Sequence, residues 1–185
     1  MCIRDRSGGQ EGPDRAALLF YLRSSDPETL RDLAARVAAV AEGAAAMTGC
    51  GVELEWDAQP PYLPIRANHA LAQRWAVNQG SSGRTPLPPG VVPEFLTGST
   101  DLGNLSYRMP ALHPMLAISG PTAALHTVEF AEAAGGPGGD AGVRDGALGL
   151  ALTALDYLAD PALREAVHAE FEAQGGAVDV PHYFD

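Results

Sequence analysis

Apolar residues follow strand-like and helix-like spacings in turn along the first sixty positions. The run AALLFYLR at residues 16–23 is apolar and aromatic up to its last residue, which predicts a buried strand. The next apolar residues follow helical spacing, and this helix is predicted to begin at Ser25 or Asp26 and to end at Gly49. At residues 52–56 apolar residues alternate with glutamates, which predicts a second strand. Strand, helix and strand together predict half of a ferredoxin-like sandwich.

Beyond a stiff proline-rich linker at residues 59–64, the pattern is mainly helical. Apolar residues at helical spacing predict helices at residues 68–79, 128–134 and 141–159, and a restart at Asp160 and Pro161. One apolar run predicts a strand at residues 112–118, whereas Gly-rich and Pro-rich composition predicts loops at 81–93 and 135–139. The expected fold class is therefore α/β, with domains at residues 15–60 and 61–185.

The composition excludes several classes of protein. Hydrophobic residues make up 46% of the chain and charged residues 19%, which is typical of a globular protein. The net charge of -11 argues against binding to nucleic acid. No apolar run is long enough to span a membrane, and residues 1–14 lack the apolar core of a secretory signal. We therefore interpret residues 1–14 as an unrelated leader and expect a cytoplasmic protein.

The segment STDLGNLSY contains the first group of candidate site residues. Asp101 lies between Thr100 and Asn104, in a stretch of residues that hydrogen-bond well to nearby backbone. Spacing alone favours a capped turn for this segment over a binding site.

The segment ALHTVEF contains the second candidate, His126, directly before a predicted helix. The chain has five histidines, but they are scattered, and no HExxH, GxSxG or Walker motif is present. The two cysteines, Cys2 and Cys50, form no metal-binding CxxC pair. On spacing alone, His126 is more often a structural histidine than a metal ligand.

The order of segments resembles the C-terminal portion of the zinc amidohydrolases that include aminoacylase, carboxypeptidase G and p-aminobenzoyl-glutamate hydrolase. The resemblance covers residues 16–172 and is closest to the branch that cleaves aminobenzoyl-glutamate and dipeptides. Its most specific part is GSTDLGNLSY followed some twenty residues later by LHTVEF. The other matching segments are LLFYLRSSDPETL, GAAAMTGCGVELEW, PPYLPIRAN and ALGLALTALDYLADPALREAVHAEF.

The resemblance implies a fold, a cofactor and site residues. It implies half of a ferredoxin-like lid at residues 15–60 and the C-terminal part of an α/β catalytic domain at residues 61–185. It also implies a site with one or two zinc ions, with His126 as one ligand, and a lining segment in which Thr100, Asp101 and Asn104 touch or order the substrate.

The activity implied is cleavage of an amide bond in an N-acyl amino acid, aminobenzoyl-glutamate or a dipeptide, by a homodimer joined through the lid. The family's other metal ligands and its general base have no counterpart here, and one imidazole does not hold a catalytic zinc ion. We therefore expect the chain to be a fragment that is inactive alone. The alternative is a non-catalytic, dimerising α/β interaction module without metal.

Overall fold

The computed structural model describes residues 15–57, 61–88, 91 and 100–183. The chain forms two compact units, Met1–Pro60 and Pro61–Asp185. The expected leader at residues 1–14 lies outside the described residues, and the assignment of the two units to a lid and a catalytic domain stays a prediction.

One long helix, α1 (Pro27–Thr48), dominates the described part of the first unit. The Asp26 carboxylate accepts a hydrogen bond from the backbone N–H of Thr29 at 2.7 Å, and Pro27 occupies the first turn, where its missing N–H costs nothing. Gly49 ends the helix in the left-handed conformation, with φ of 70°. The predicted helix and both of its ends are confirmed.

The α/β fold class is wrong. Within the described ranges the regular structure is helical and contains no strand, and the only strand-type pairing is an isolated parallel bridge between Ala67 and Ala111. The segments predicted as strands at residues 16–23, 52–56 and 112–118 form no β-pairing with any described backbone. No half of a ferredoxin-like sandwich is therefore formed. An alternating apolar pattern reports which side chains favour burial, but a strand also needs a second backbone about 4.8 Å away, which the pattern cannot specify.

Helices also form the second unit. They are α2 (His69–Gln79), α3 (Leu102–Ser106), α4 (Val128–Ala134), α5 (Pro137–Ala159) and α6 (Pro161–Ala173), with 3₁₀ turns at Gly80–Ser82 and Val180–His182. Helix α2 packs against both α5 and α6, and its buried Trp75 lies among the core residues of this unit. None of the helices in the described residues has both the length and the hydropathy that a bilayer crossing requires.

Glycines line the packed face of α5. A Cβ atom on Gly142 would lie 2.5 Å from Ile118 Cγ2, and one on Gly149 would lie 1.9 Å from Gln79 Nε2. Leu116 approaches Gly146 in the same way, so these glycines allow neighbouring side chains to come close to the backbone of α5. The prediction of a loop at 135–139 is wrong, because Pro137 starts α5 there.

Two leucines near the end of α5 lie away from its glycine face. Leu155 is 58% exposed and Leu158 is 72% exposed, so these two apolar side chains do not contribute to the core of this unit. The glycine face is buried instead, because it lets the segment before α4 approach the helix backbone.

The first turn of α2 is capped from two places. The Asn68 side chain accepts a hydrogen bond from the backbone N–H of Leu71 at 3.0 Å. The Glu170 carboxylate, on α6, accepts from the N–H groups of His69 at 2.7 Å and Ala70 at 2.9 Å. Three of the four N–H groups that a helix leaves unpaired at its start are thus satisfied, two of them by a residue a hundred positions away.

A polar layer joins α2, α5 and α6. Arg74 lies 3.1 Å from a carboxylate oxygen of Asp160 and 3.4 Å from one of Asp156. Asp160 also caps α6 through the N–H groups of Leu163 and Ala162. The hydrogen bond from Leu163, with further contributions from Arg74 and Ala162, holds the pKa of Asp160 below its usual value of 3.8.

This lowered pKa predicts an acid-sensitive contribution to stability. Because the folded pKa lies below the unfolded one, the contribution is present above pH 3.8 and is lost as pH falls through the folded pKa. We expect Asp160→Asn, which keeps the capping oxygen, to reduce the loss in free energy of unfolding between about pH 5 and about pH 2. Urea titrations at each pH measure this loss. The exposed Glu165→Gln is the control, and an unchanged acid loss in Asp160→Asn would contradict the expectation.

Candidate functional site

The predicted substrate residue Asn104 is bound to the backbone at the start of the second unit. Its side-chain oxygen accepts a hydrogen bond from the N–H of Leu63 at 2.8 Å. Its amide nitrogen donates to the carbonyl of Pro61 at 3.0 Å. The side chain therefore makes one accepted and one donated hydrogen bond to this backbone segment. Both of its polar atoms have a partner.

Two neighbours of Asn104 complete this attachment. Ser106 is fully buried, and its hydroxyl donates to the carbonyl of Gly103 at 2.6 Å and accepts from the N–H of Arg66 at 2.9 Å. A Cβ atom on Gly103 would lie 1.8 Å from the carbonyl oxygen of Leu63. We call Gly103, Asn104 and Ser106 the α3 clamp, because together they fix the backbone from Pro61 to Arg66.

Arg66 extends the clamp to the end of α6. Its guanidinium lies between two aromatic rings, 4.5 Å from the ring centre of Tyr107 and 4.7 Å from that of Phe171. It donates to the backbone carbonyls of Gln174 at 2.9 Å and Gly176 at 2.6 Å. The charge of Arg66 is therefore used to bind the carbonyls that follow α6, where the negative end of a helix dipole attracts a cation.

Thr100 and Asp101 differ from Asn104, because the hydrogen bonds of their side chains are to each other and to the next residue along the chain. Asp101 is exposed and stands at the N-cap position of α3, yet its carboxylate does not cap the helix. Instead it accepts a hydrogen bond from the Thr100 hydroxyl at 3.1 Å, and that hydroxyl accepts from the N–H of Leu102. The Asp101 carboxylate is thus oriented but keeps acceptor capacity for a ligand.

His126 lies in a tight turn directly before α4. Its φ is 65°, a left-handed conformation that residues with a side chain rarely adopt. The imidazole is exposed, and nothing in the described part of the chain forms a hydrogen bond with it. Both ring nitrogens are therefore accessible to a ligand.

The described residues alone do not make a zinc site. Across residues 15–57, 61–88, 91 and 100–183, no three His, Cys, Asp or Glu side chains come close enough to hold a metal ion. Two other histidines have polar partners of their own: His168 is hydrogen-bonded to the Tyr157 hydroxyl at 2.9 Å, and His182 to the Asp179 carboxylate at 2.9 Å. A catalytic zinc ion needs about three protein ligands, and His126 supplies one.

Two structurally important residues, Arg66 and Glu170, are not among the residues predicted for the site. Arg66 lies in the matching segment PPYLPIRAN, but its stacking partners Tyr107 and Phe171 are distant in sequence. Glu170 looks like one of several acids on α6, although it caps α2. For the α3 clamp a local indication existed in Gly103, because glycine is the usual residue where another backbone segment approaches closely.

The chain is similar to two curated dipeptidases. It is 33% identical over 162 residues to an Xaa-Arg dipeptidase of Mus musculus, a match that includes 88% of this chain and 37% of the relative. It is 30% identical over 160 residues to an Xaa-Arg dipeptidase of Homo sapiens, covering 86% of this chain and 36% of that protein. The chain thus spans little more than a third of the length of these relatives. No family model and no solved structure matches it significantly.

Proposed function

We propose that this chain acts as part of a dipeptide-cleaving hydrolase whose substrates resemble those in the names of its relatives, dipeptides that end in arginine. The observation that supports the proposal is the similarity to two Xaa-Arg dipeptidases over most of this chain. That similarity includes the region of both candidate segments, STDLGNLSY and ALHTVEF. The same two segments resemble the zinc amidohydrolases. Because the two similarities agree, we favour a peptide-cleaving hydrolase as the function.

Within this proposal, His126 is one ligand of a zinc ion. Its exposed imidazole, with both nitrogens accessible, suits such a role. The remaining ligands of a site with one or two ions would come from outside the described residues. Bound zinc would polarise the scissile carbonyl and activate water, and this chain's contribution would be to hold one imidazole in a fixed direction.

Substrate binding is assigned to Asp101, with Thr100 orienting it. A carboxylate with free acceptor capacity suits a substrate that carries a positive charge. Asn104 contributes indirectly in this scheme, because the α3 clamp fixes the helix that follows Asp101. Association as a homodimer remains part of the same proposal.

The deciding experiment uses the longest protein whose reading frame contains this chain. We expect it to hydrolyse dipeptides that end in arginine, and His126→Ala to lower kcat/KM by roughly 100-fold or more, as loss of a metal-orienting or metal-binding group does. Zinc content, measured by mass spectrometry of the purified protein, should fall in parallel. His168→Ala is the matched control, because His168 is also an exposed histidine but is bound to Tyr157.

Two results would reject the proposal. Unchanged zinc content and turnover in His126→Ala would show that His126 is not a zinc ligand. Absence of dipeptide hydrolysis by the unsubstituted, zinc-loaded protein would instead favour the alternative of a non-catalytic interaction module.

A further inference from the structure

The hydroxyl of Thr127 closes the turn that contains His126. It donates a hydrogen bond to the carbonyl of Ala124 at 2.8 Å, three residues earlier and on the other side of the histidine. It also accepts a hydrogen bond from the N–H of Phe130 at 3.3 Å, which caps α4. One side-chain oxygen therefore ties both flanks of His126 together.

The backbone of His126 needs such a restraint. A left-handed conformation brings Cβ too close to the following carbonyl oxygen, so histidine adopts it less readily than glycine does. Strained residues persist where surrounding contacts determine them, and they cluster at functional sites. Without the bond to Ala124, nothing else in the described residues is seen to hold the peptide groups on either side of His126 in this orientation.

We infer that Thr127 is a positioning residue that fixes the direction of the His126 imidazole by holding its backbone in the left-handed conformation. The inference rests on the proposed function of His126. It assigns Thr127 a role beyond that of a helix cap: the bond to Ala124 sets the turn, while the bond from Phe130 only starts α4.

Three substitutions separate these two roles. Thr127→Ser keeps the donor to Ala124 and the acceptor for Phe130. Thr127→Val keeps the branched shape but loses both. Thr127→Asp keeps an acceptor that caps α4 well, but an ionised carboxylate has no proton to donate to Ala124. If Thr127 positions His126, Thr127→Ser should retain function and both Thr127→Asp and Thr127→Val should lose it. If Thr127 only caps α4, Thr127→Ser and Thr127→Asp should both retain function and Thr127→Val alone should lose it.

The first measurement uses this chain and needs neither metal nor activity. The nuclear Overhauser effect between the amide and α protons of His126 is strong only when φ is positive. We expect it to persist in Thr127→Ser and to weaken in Thr127→Val and Thr127→Asp. A strong effect in all three variants would overturn the inference, whatever the function of the protein proves to be.

The second measurement is zinc affinity and kcat/KM in the longest protein that contains the chain. We expect Thr127→Val and Thr127→Asp to lose roughly 10-fold to 100-fold in both, and Thr127→Ser to stay within about threefold of the unsubstituted protein. The loss in Thr127→Asp is diagnostic, because an added carboxylate beside a cation site would by itself favour metal binding. If His126→Ala impairs the protein but Thr127→Asp does not, the positioning role fails while the proposed function stands.

Discussion

Replacement of Arg66 by alanine should lower the free energy of unfolding of the second unit by about 4 kcal/mol. The guanidinium donates to the carbonyls of Gln174 and Gly176 and, at 3.3 Å, to that of Ser106. Each hydrogen bond from a charged donor contributes about 1.5–3 kcal/mol, and stacking between two aromatic rings adds to the loss. The effect is large because a single side chain joins the α3 clamp to the end of α6.

Urea unfolding followed by circular dichroism measures this loss, and two further variants identify its cause. Arg66→Lys keeps the charge but lacks the planar fork, so we expect it to recover little of the stability. Arg108→Ala removes an exposed arginine from the same region and should change stability by less than about 0.5 kcal/mol. A loss below about 1 kcal/mol in Arg66→Ala would show that these contacts do not hold the unit together.

Gly103→Ala should destabilise the same unit by about 3 kcal/mol, opposite in sign to the usual effect of alanine in a helix. The added methyl group would meet the carbonyl oxygen of Leu63, in a backbone segment that Asn104 holds through the carbonyl of Pro61 and the N–H of Leu63. A flexible side chain could move away cheaply, but here the obstacle is backbone. The same urea titration measures the change.

Gly80→Ala is the matched control for Gly103→Ala. Gly80 has a right-handed helical conformation, and a Cβ atom there would meet nothing within 4 Å. We therefore expect a neutral or slightly stabilising effect from this substitution. Stabilisation by Gly103→Ala would mean that Leu63 and α3 do not approach as closely as described.

Local signals in the sequence were enough to predict most of the helices. Asp26 and Gly49 mark the ends of α1, and Asp160 with Pro161 marks the start of α6, because capping chemistry depends on residues within one turn. The strands at residues 16–23, 52–56 and 112–118 were predicted wrongly, because pairing depends on distant backbone that no local pattern describes.

The candidate site likewise has features that local sequence predicts and features that depend on distant residues. Resemblance of STDLGNLSY to a known family predicted three substrate residues, but it could not tell that Asn104 is engaged by Pro61 and Leu63, forty positions earlier. The importance of the turn at His126 was equally hidden, since a positive φ for histidine has no sequence signature. Which leucines of α5 are exposed could not be predicted either, because glycines on the other face decided how that helix packs.

The capping of α2 by Glu170 has a consequence during protein synthesis. The carboxylate and the N–H group of His69 that it binds are 101 residues apart. At roughly 5–20 residues per second, about 5 to 20 s pass between the synthesis of the first turn of α2 and that of its cap. During this interval Asn68 is the only side-chain cap of α2, and α6 is not yet present to pack against α2. The complete cap of α2 therefore forms only after α6 has been synthesised.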